Sequence, residues 1–336
     1  MTDFSVEAVR KGDKLALSRV LSRVEADDED GRAALDALFA FTGHAHKIGV
    51  TGAPGSGKSS LVNALAHYLR RTFPDSRVAI IAVDPTSPFT GGAILGDRVR
   101  MPDLQNDTGV FIRSMATRGA LGGLAEATLA LSQVFDAAGY DTVLIETVGA
   151  GQAEVDIVNL AHTTIVVDTP GMGDDIQTIK AGILEIADIL VVNKAELPGA
   201  DQTYRNLVSM IEMGYRGSGG INGGHHRLSE APEAQTPDHA GWLPPVLRTT
   251  AITAQGIPEL EQAIQRHRAY SKASGSWHTK ESSAIQQTID KLITDELIGN
   301  WKKKLPSGLY ETTLQAVSAR KMSPRAAARA LLAYNS

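Results

Sequence analysis

Cysteine is absent from the 336-residue sequence. Its absence excludes disulfide bonds, thiolate catalysis and metal sites with cysteine ligands, and it fits a reducing compartment. No apolar run approaches the roughly 18 residues of a membrane span, and the N-terminus lacks the apolar core of a signal peptide. We therefore expect a cytoplasmic protein that does not bind membranes.

A large excess of one sign of charge is also missing. The chain has 33 lysines and arginines against 38 acidic residues, for a net charge of −5. Such a balance offers no polybasic surface for nucleic acid or anionic lipid. The electrostatics favour a small ligand or a protein partner, and we expect no nucleic-acid binding.

Short apolar runs alternate with helix-like stretches between about residues 44 and 270. The runs are KIGV, VAIIAVD, TVLIE, TTIVVD and ILVVN. Strands that alternate with helices are typical of a mainly parallel sheet covered by helices on both faces. The sequence therefore predicts an α/β domain over residues 44–270.

Three other segments depart from this pattern. Residues 1–43 repeat apolar residues at helical spacing and predict an N-terminal helical extension. Residues 214–241 are rich in glycine, histidine and proline and predict a mobile surface insertion. Residues 271–336 predict a C-terminal helical arm with an apolar stripe from Ile285 to Leu297. Periodicity alone leaves open whether this stripe packs on its own domain or on a second subunit.

The most specific motif is GAPGSGKS, which matches G-x-x-x-x-G-K-S/T between a predicted strand and an amphipathic helix. Its glycines let successive N–H groups point at phosphate oxygens. Lys58 brings a positive charge to the β and γ phosphates, and Ser59 offers a hydroxyl to Mg²⁺. The predicted phosphate-binding residues are Gly52, Ala53, Pro54, Gly55, Ser56, Gly57, Lys58, Ser59 and Ser60.

Acidic residues end two other predicted strands. Glu146 ends DTVLIE, where a carboxylate can hold Mg²⁺ or orient the attacking water, and Gly149 is predicted to contact the γ phosphate. Asp84 ends VAIIAVD in the same way. The glycine-rich stretch that follows it contains Asp97 and Arg100 and is able to close over phosphates.

The stretch VVNKAELPG contains a candidate base-reading element. Asn193 and Lys194 follow a predicted strand, as the guanine-reading loop of a GTP-binding protein does. Guanine presents two donors to a single carboxylate and adenine presents neither, so Glu196 favours GTP. Because the usual acid here is Asp, the longer Glu predicts somewhat weaker affinity. Thr250 and Ala251 are predicted to direct backbone N–H groups toward guanine O6.

Several motifs together resemble those of the methylmalonyl-CoA mutase-associated GTPases of the MeaB or ArgK type. They are GAPGSGKSS, VDPTSPFTGGAILGDRVRM, FIRSMATRGALGG, IETVGAGQAEVDI and GMGDDIQTIKAGILEIADI, and the resemblance spans nearly the whole chain. It implies a P-loop NTPase fold, GTP and GDP as ligands and Mg²⁺ as cofactor. It also implies a chaperone that loads and protects an adenosylcobalamin-dependent acyl-CoA mutase, and a homodimer formed through C-terminal helices.

The same resemblance implies roles for individual residues. The catalytic residues would be Lys58, Glu146, Asp97 and Arg100, and the metal ligands would be Ser59, Asp84, Asp97 and Glu146. Asp174, Gln177 and Lys180 would form a mobile segment that links the nucleotide state to the mutase. The chain departs from the family pattern at Glu196 and in the insertion 214–241.

Three other functions stay open at this point. A metal-insertion GTPase is related by fold, but it would normally need cysteine or histidine ligands in this domain, and cysteine is absent. A kinase or ATPase of an amino-acid transport system is disfavoured by the N-K-A-E element. A regulatory module with negligible turnover is disfavoured by Lys58, Ser59 and Glu146. The sequence does not identify the mutase; methylmalonyl-CoA mutase is the first candidate, and ethylmalonyl-CoA, isobutyryl-CoA and 2-hydroxyisobutyryl-CoA mutases remain open.

Overall fold

The computed structural model describes residues 6–84, 101–116, 123–147, 160–171, 186–217 and 241–334. These residues fall into two compact units, one reaching to Lys280 and the other beginning at Glu281. Within the described ranges, no helix combines the length and the hydrophobicity needed to cross a membrane.

A seven-stranded sheet forms the centre of the first unit, in the order β3-β2-β4-β1-β5-β6-β7. The strands are β1 (His46–Gly52), β2 (Val78–Asp84), β3 (Val110–Ala116), β4 (Thr142–Glu146), β5 (Thr163–Asp168), β6 (Ile189–Val192) and β7 (Val246–Arg248). Each neighbouring pair is parallel. The α/β fold with a mainly parallel sheet, predicted from the alternation of runs, is confirmed.

The described helices of the first unit are α1 (Val6–Arg10), α2 (Lys14–Ala26), α3 (Glu29–Leu38), α4 (Lys58–Thr72), α5 (Gly123–Ala137), α6 (Ala200–Gly217) and α7 (Ile257–Ala273). Helix α8 (Ser276–Lys304) continues from the first unit into the second, which also contains α9 (Leu309–Ser318) and α10 (Pro324–Ala333). The sequence predicts a mobile insertion over about residues 214–241, and α6 extends to Gly217 at its beginning. Residues 218–240 of the predicted insertion lie outside the described residues.

The sheet separates two apolar cores, because successive side chains of a strand point to opposite faces. In β4, Leu144 belongs to the core that α4 and α7 cover. Its neighbours Val143 and Ile145 belong to the other core, together with Phe135 of α5 and Leu17 of α2. The N-terminal helices thus contribute to one of the two layers that bury the sheet.

The strand ends bring the predicted site residues to one edge of the sheet. In the parallel register, Val50 of β1 lies beside Glu146 of β4, and Gly52 lies beside Val167 of β5. Asp168 lies beside Val192 of β6. The carboxyl ends of these strands therefore place the P-loop, Glu146 and the N-K-A-E loop next to one another, as expected for ligand sites in parallel sheets.

A nucleotide-binding edge of the sheet

The P-loop, Gly52 to Ser59, connects β1 to α4, and Lys58 is the first residue of that helix. The buried ammonium of Lys58 donates hydrogen bonds to the carbonyl oxygens of Gly52 at 2.7 Å and Ala53 at 3.0 Å. Gly52 has a φ of 139°, and a Cβ there would approach the Val167 oxygen to 2.0 Å. The loop therefore requires glycine at this position, and its curl places the lysine charge inside the loop.

Ser59 and Glu146 come together beside the P-loop. The Ser59 hydroxyl donates a hydrogen bond to Glu146 Oε1, and the Glu146 side chain is buried at the end of β4. Among the residues that the structure describes, no three acidic or histidine side chains form a metal cluster. Mg²⁺ is commonly bound by one or two protein oxygens together with phosphate oxygens. The oxygen-only pair of Ser59 and Glu146 fits that kind of site.

Asn193 joins three loops at this edge. Its Nδ2 donates to the Ser56 carbonyl oxygen in the P-loop at 2.9 Å. Its Oδ1 accepts hydrogen bonds from the Thr249 hydroxyl at 3.1 Å and from the Ala251 N–H at 3.2 Å, after β7. Since Asn193 is buried, its contacts fix the N-K-A-E loop against both neighbouring loops.

Lys194 and Glu196 extend from this buried asparagine toward solvent. Lys194 has a left-handed backbone with a φ of 57°, which is uncommon for a residue other than glycine. Its Nζ donates to the Gly55 carbonyl oxygen at 2.9 Å, so its side chain reaches the P-loop. Glu196 is exposed two residues later. Its carboxylate is accessible to a base bound beside this loop.

The loop after β7 contains Thr250 and Ala251, whose backbone N–H groups have partners within the protein. The Thr250 N–H donates to the Gln255 carbonyl oxygen at 3.0 Å, and the Ala251 N–H donates to Asn193. Both N–H groups thus form hydrogen bonds within the protein, where a short turn at Ala251–Thr253 closes the loop back onto Gln255. Their contact with guanine O6 stays a prediction from the sequence.

Asp168 is a residue at this edge that the sequence reasoning missed. It is buried at the end of β5, its Oδ1 accepts the Thr169 N–H at 2.8 Å, and its carbonyl oxygen accepts the Asn193 N–H at 2.8 Å. Burial raises the pKa of the Asp168 carboxyl, and the bond from Thr169 acts in the opposite direction. The available signal was an acid ending the apolar run TTIVVD, which is the pattern that identified Asp84 and Glu146.

Several predicted site residues lie outside what the structure describes. Asp84 ends β2 with its backbone beside Ala116 of β3, but its side chain is not described. The others are Asp97, Arg100, Gly149, Asp174, Gln177 and Lys180. Their roles stay predictions from the sequence.

Comparison with known proteins identifies similar chains. The family model described as Methylmalonyl Co-A mutase-associated GTPase MeaB matches residues 15–305. A putative GTPase of Pyrococcus abyssi is 42% identical over 332 residues, which cover 99% of this chain and 96% of the relative. GTPase ArgK of Escherichia coli is 32% identical over 97% of this chain and 94% of the relative. The crystal structure of a LAO/AO transport system kinase matches with a TM-score of 0.64 at 27% identity, over 98% of this chain and 95% of that chain.

Proposed function

We propose a function for this chain from the premise that it belongs to the methylmalonyl-CoA mutase-associated GTPase MeaB family. The chain is a P-loop GTPase, with the fold of that class and relatives named as GTPases. In our proposal it acts as a chaperone of an adenosylcobalamin-dependent acyl-CoA mutase, with methylmalonyl-CoA mutase as the first candidate. GTP binding and hydrolysis would be coupled to cofactor loading and protection of the mutase. The observation that carries this partner is the family match over residues 15–305.

Phosphate binding and hydrolysis are proposed to depend on the P-loop. The Lys58 ammonium, already held inside the loop, would stabilise the charge that develops on the transferred phosphoryl group. Ser59 and Glu146 would hold Mg²⁺, which neutralises phosphate charge when bound. From the motif match, we propose Asp84 and Asp97 as further oxygen ligands. Arg100 and Gly149 would act near the γ phosphate.

Guanine recognition is proposed to depend on Glu196, with Asn193 and Lys194 holding the loop that presents it. A carboxylate accepts the N1–H and 2-amino donors of guanine, and adenine offers no such pair. The buried contacts of Asn193 support this assignment because they fix the loop next to the P-loop.

A second candidate function comes from the similar crystal structure, which is that of a LAO/AO transport system kinase. A kinase of this kind would be expected to use ATP. A competition experiment distinguishes the two candidate functions. In it, ATP or GTP displaces a fluorescent GDP analogue from the protein. Displacement by GTP at concentrations at least tenfold lower than ATP supports the GTPase proposal, and preferential displacement by ATP supports the kinase.

The C-terminal unit is proposed to form a homodimer. Large apolar side chains of α8 are between 43% and 65% exposed in the single chain, namely Ile285, Ile289, Leu292, Ile293, Leu297 and Ile298. Ile285, Ile289, Ile293 and Leu297 follow one another at intervals of four residues, which places them on one side of the helix, and Leu292 lies beside them. Exposed apolar side chains that lie side by side are typical of a protein interface.

The oligomeric state tests this part of the proposal. Replacing Leu292 and Ile293 with glutamate places two charges in the stripe, so we expect the double variant to be monomeric by light scattering during size-exclusion chromatography. Gln287→Glu, at an exposed polar position of the same helix, is the matched control and should remain dimeric. A wild-type protein that is monomeric at micromolar concentration contradicts the dimer.

Coupling to the mutase is proposed to involve Asp174, Gln177 and Lys180. The basis is the sequence segment GMGDDIQTIKAG and its match to the family pattern. We expect Gln177→Ala and Lys180→Ala to keep GDP affinity and intrinsic hydrolysis within a few-fold of wild type and to lose most of the acceleration caused by the mutase. Full acceleration in both variants would exclude this role.

A further inference from the structure

Three buried histidines lie at the edge of the sheet opposite the nucleotide site. His46 begins β1, His162 precedes β5, and His267 lies on α7. His46 Nε2 contacts the Thr163 hydroxyl at 2.8 Å, and the same hydroxyl contacts His267 Nδ1 at 2.8 Å. His267 Nε2 in turn lies 3.2 Å from Asp188 Oδ1. A hydrogen-bonded path therefore runs from His46 to Asp188.

Asp188 connects this path to the first turns of α8. Its Oδ2 accepts the Thr164 N–H at 2.8 Å and lies 3.4 Å from Lys280 Nζ. Lys280 also donates to the His162 carbonyl oxygen at 3.1 Å. Burial opposes ionisation of Asp188, but His267, Lys280 and the Thr164 N–H together hold the pKa of its carboxyl below the ordinary range. A charged Asp188 thus anchors Lys280.

Trp277 provides the second anchor of these turns. The side chain is 3% exposed, and its ring stacks on the His162 ring with centroids 3.5 Å apart and an interplanar angle of 23°. The His46 ring lies 5.4 Å away. Lys272 Nζ lies 4.9 Å from the centre of the indole ring. The ion pair of Lys280 with Asp188 and the stack of Trp277 on His162 therefore both connect the beginning of α8 to the histidine network.

The proton positions in the path follow from its two ends. With Asp188 charged and His267 neutral, His267 donates from Nε2 and accepts at Nδ1 from the Thr163 hydroxyl. The Thr163 oxygen then accepts from His46 Nε2–H.

An additional proton on His46 would meet no acidic side chain in the part of its surroundings that the structure describes. The charged and titratable groups around it are His162, His267, Arg268 and Lys272, and no carboxylate among the described residues contacts it. Lys47 follows it in β1, and Asp188 is reached only through Thr163 and His267. Burial, followed by these basic neighbours, lowers the pKa of His46 well below its ordinary value of 6.5.

We propose that this network is a proton-operated latch on the first turns of α8, closed when His46 is neutral and opened when acidification protonates it. On opening, Trp277 leaves His162 and Lys280 leaves Asp188. The direction of the pH effect follows from the linkage between proton binding and opening. His46 binds a proton more readily in the open state, so the free energy that favours the closed state decreases as pH falls below 6.5. The ratio of open to closed molecules would rise by up to about tenfold per pH unit for each proton taken up. Asp188 adds to the opening only at lower pH, where its carboxylate becomes protonated.

Trp277 fluorescence tests the latch in the full-length protein. Subtracting the emission of Trp277→Phe from that of wild type isolates this tryptophan among the three in the chain. We expect a reversible red shift as pH falls from 7.5 to about 4.5, with far-ultraviolet circular dichroism unchanged. His46→Gln can donate to Thr163 without titrating, so its midpoint should lie at least about one pH unit lower. His278→Gln changes an exposed histidine of the same turn and should leave the midpoint unchanged.

Two results would overturn the latch. One is constant Trp277 emission down to the pH at which the whole protein unfolds. The other is an unchanged midpoint in His46→Gln. If that variant does not fold, Lys280→Met replaces it, since removal of one anchor should raise the midpoint. Hydrogen exchange of the peptide from residue 276 to residue 284 should then increase in Lys280→Met at neutral pH, and equal exchange in wild type and variant would contradict the proposal.

Discussion

The side-chain amide of Asn193 donates a hydrogen bond to the main-chain oxygen of Ser56 at 2.9 Å, which joins the N-K-A-E loop to the P-loop. The other end of the same amide accepts hydrogen bonds from Thr249 and Ala251. Because the amide is buried, the positions of the three loops depend on one another. A change at this point should therefore affect phosphate binding and base binding together.

Asn193→Ala tests this dependence. The substitution leaves the Ala251 N–H and the Thr249 hydroxyl without their acceptor, and unsatisfied buried groups cost about 1–3 kcal/mol each. We expect the free energy of unfolding in urea to fall by that order, and GDP affinity measured by calorimetry to fall at least tenfold. Asn206→Ala is the control, because the hydrogen bond that the described residues give to the Asn206 amide comes from Gln202, one turn away on α6. Equal GDP affinity in the two variants would contradict the role of Asn193.

Gly57→Ala changes the P-loop side of the contact between Asn193 and the P-loop. A Cβ at Gly57 would lie 2.3 Å from Asn193 Nδ2, and the φ of 88° already disfavours any side chain there. We expect GDP binding to be lost, as measured by displacement of a fluorescent GDP analogue. Gly43→Ala distinguishes the clash with Asn193 from the effect of a positive φ, since Gly43 has a φ of 99° but open space around its missing Cβ. That control should lose some stability and keep GDP affinity.

Lys58→Ala removes the closest cation to the expected position of the phosphates. We expect GTP turnover, measured as phosphate release, to fall by about 10²-fold or more because the developing charge loses its partner. Arg71→Ala, at the exposed far end of the same helix, should retain wild-type turnover. Near wild-type turnover in Lys58→Ala would remove the P-loop from the mechanism.

Glu196 decides the choice of base in our account. Glu196→Asp restores the side-chain length that is usual at this position, so it should keep or tighten GDP binding. Glu196→Ala leaves the guanine donors without an acceptor, so it should lose about 1–3 kcal/mol for GDP and bind inosine and guanosine nucleotides alike. Calorimetry with GDP, IDP and ADP measures these differences. Equal affinity of wild type for GDP and ADP would exclude guanine selection by Glu196.

The sheet and the positions of its ends could be predicted from the sequence. Apolar runs such as VAIIAVD and TTIVVD are buried on both faces, so their composition alone marks them as strands of a parallel sheet. Strand β3 does not stand out in this way, because VFIRSMA contains a charged residue in its centre. Arg113 forms an ion pair there with Glu25 of α2, in which Arg113 Nη2 lies 2.5 Å from Glu25 Oε2. That pair joins residues 88 apart in the chain, which no local pattern reveals.

The candidate site was only partly predictable for the same reason. The P-loop and the N-K-A-E element can be recognised from residues that are neighbours in the sequence. The contacts that hold them, such as Asn193 to Ser56 and Ser59 to Glu146, cross between strands that are distant in sequence. Asp168 ends an apolar run as Asp84 and Glu146 do, so the sequence carried the same signal for it; its burial and its link to Asn193 are visible only in the fold.

We propose that GTP hydrolysis by this chain is coupled to an adenosylcobalamin-dependent acyl-CoA mutase. The most direct test is the rate of phosphate release from GTP with and without saturating methylmalonyl-CoA mutase purified from the same organism. Our account predicts that the mutase accelerates GTP turnover at least several-fold, and that Lys58→Ala abolishes turnover in both conditions. A rate that is the same with the mutase and with an equal amount of an unrelated enzyme, while the wild-type protein hydrolyses GTP alone, would contradict the coupling to this mutase.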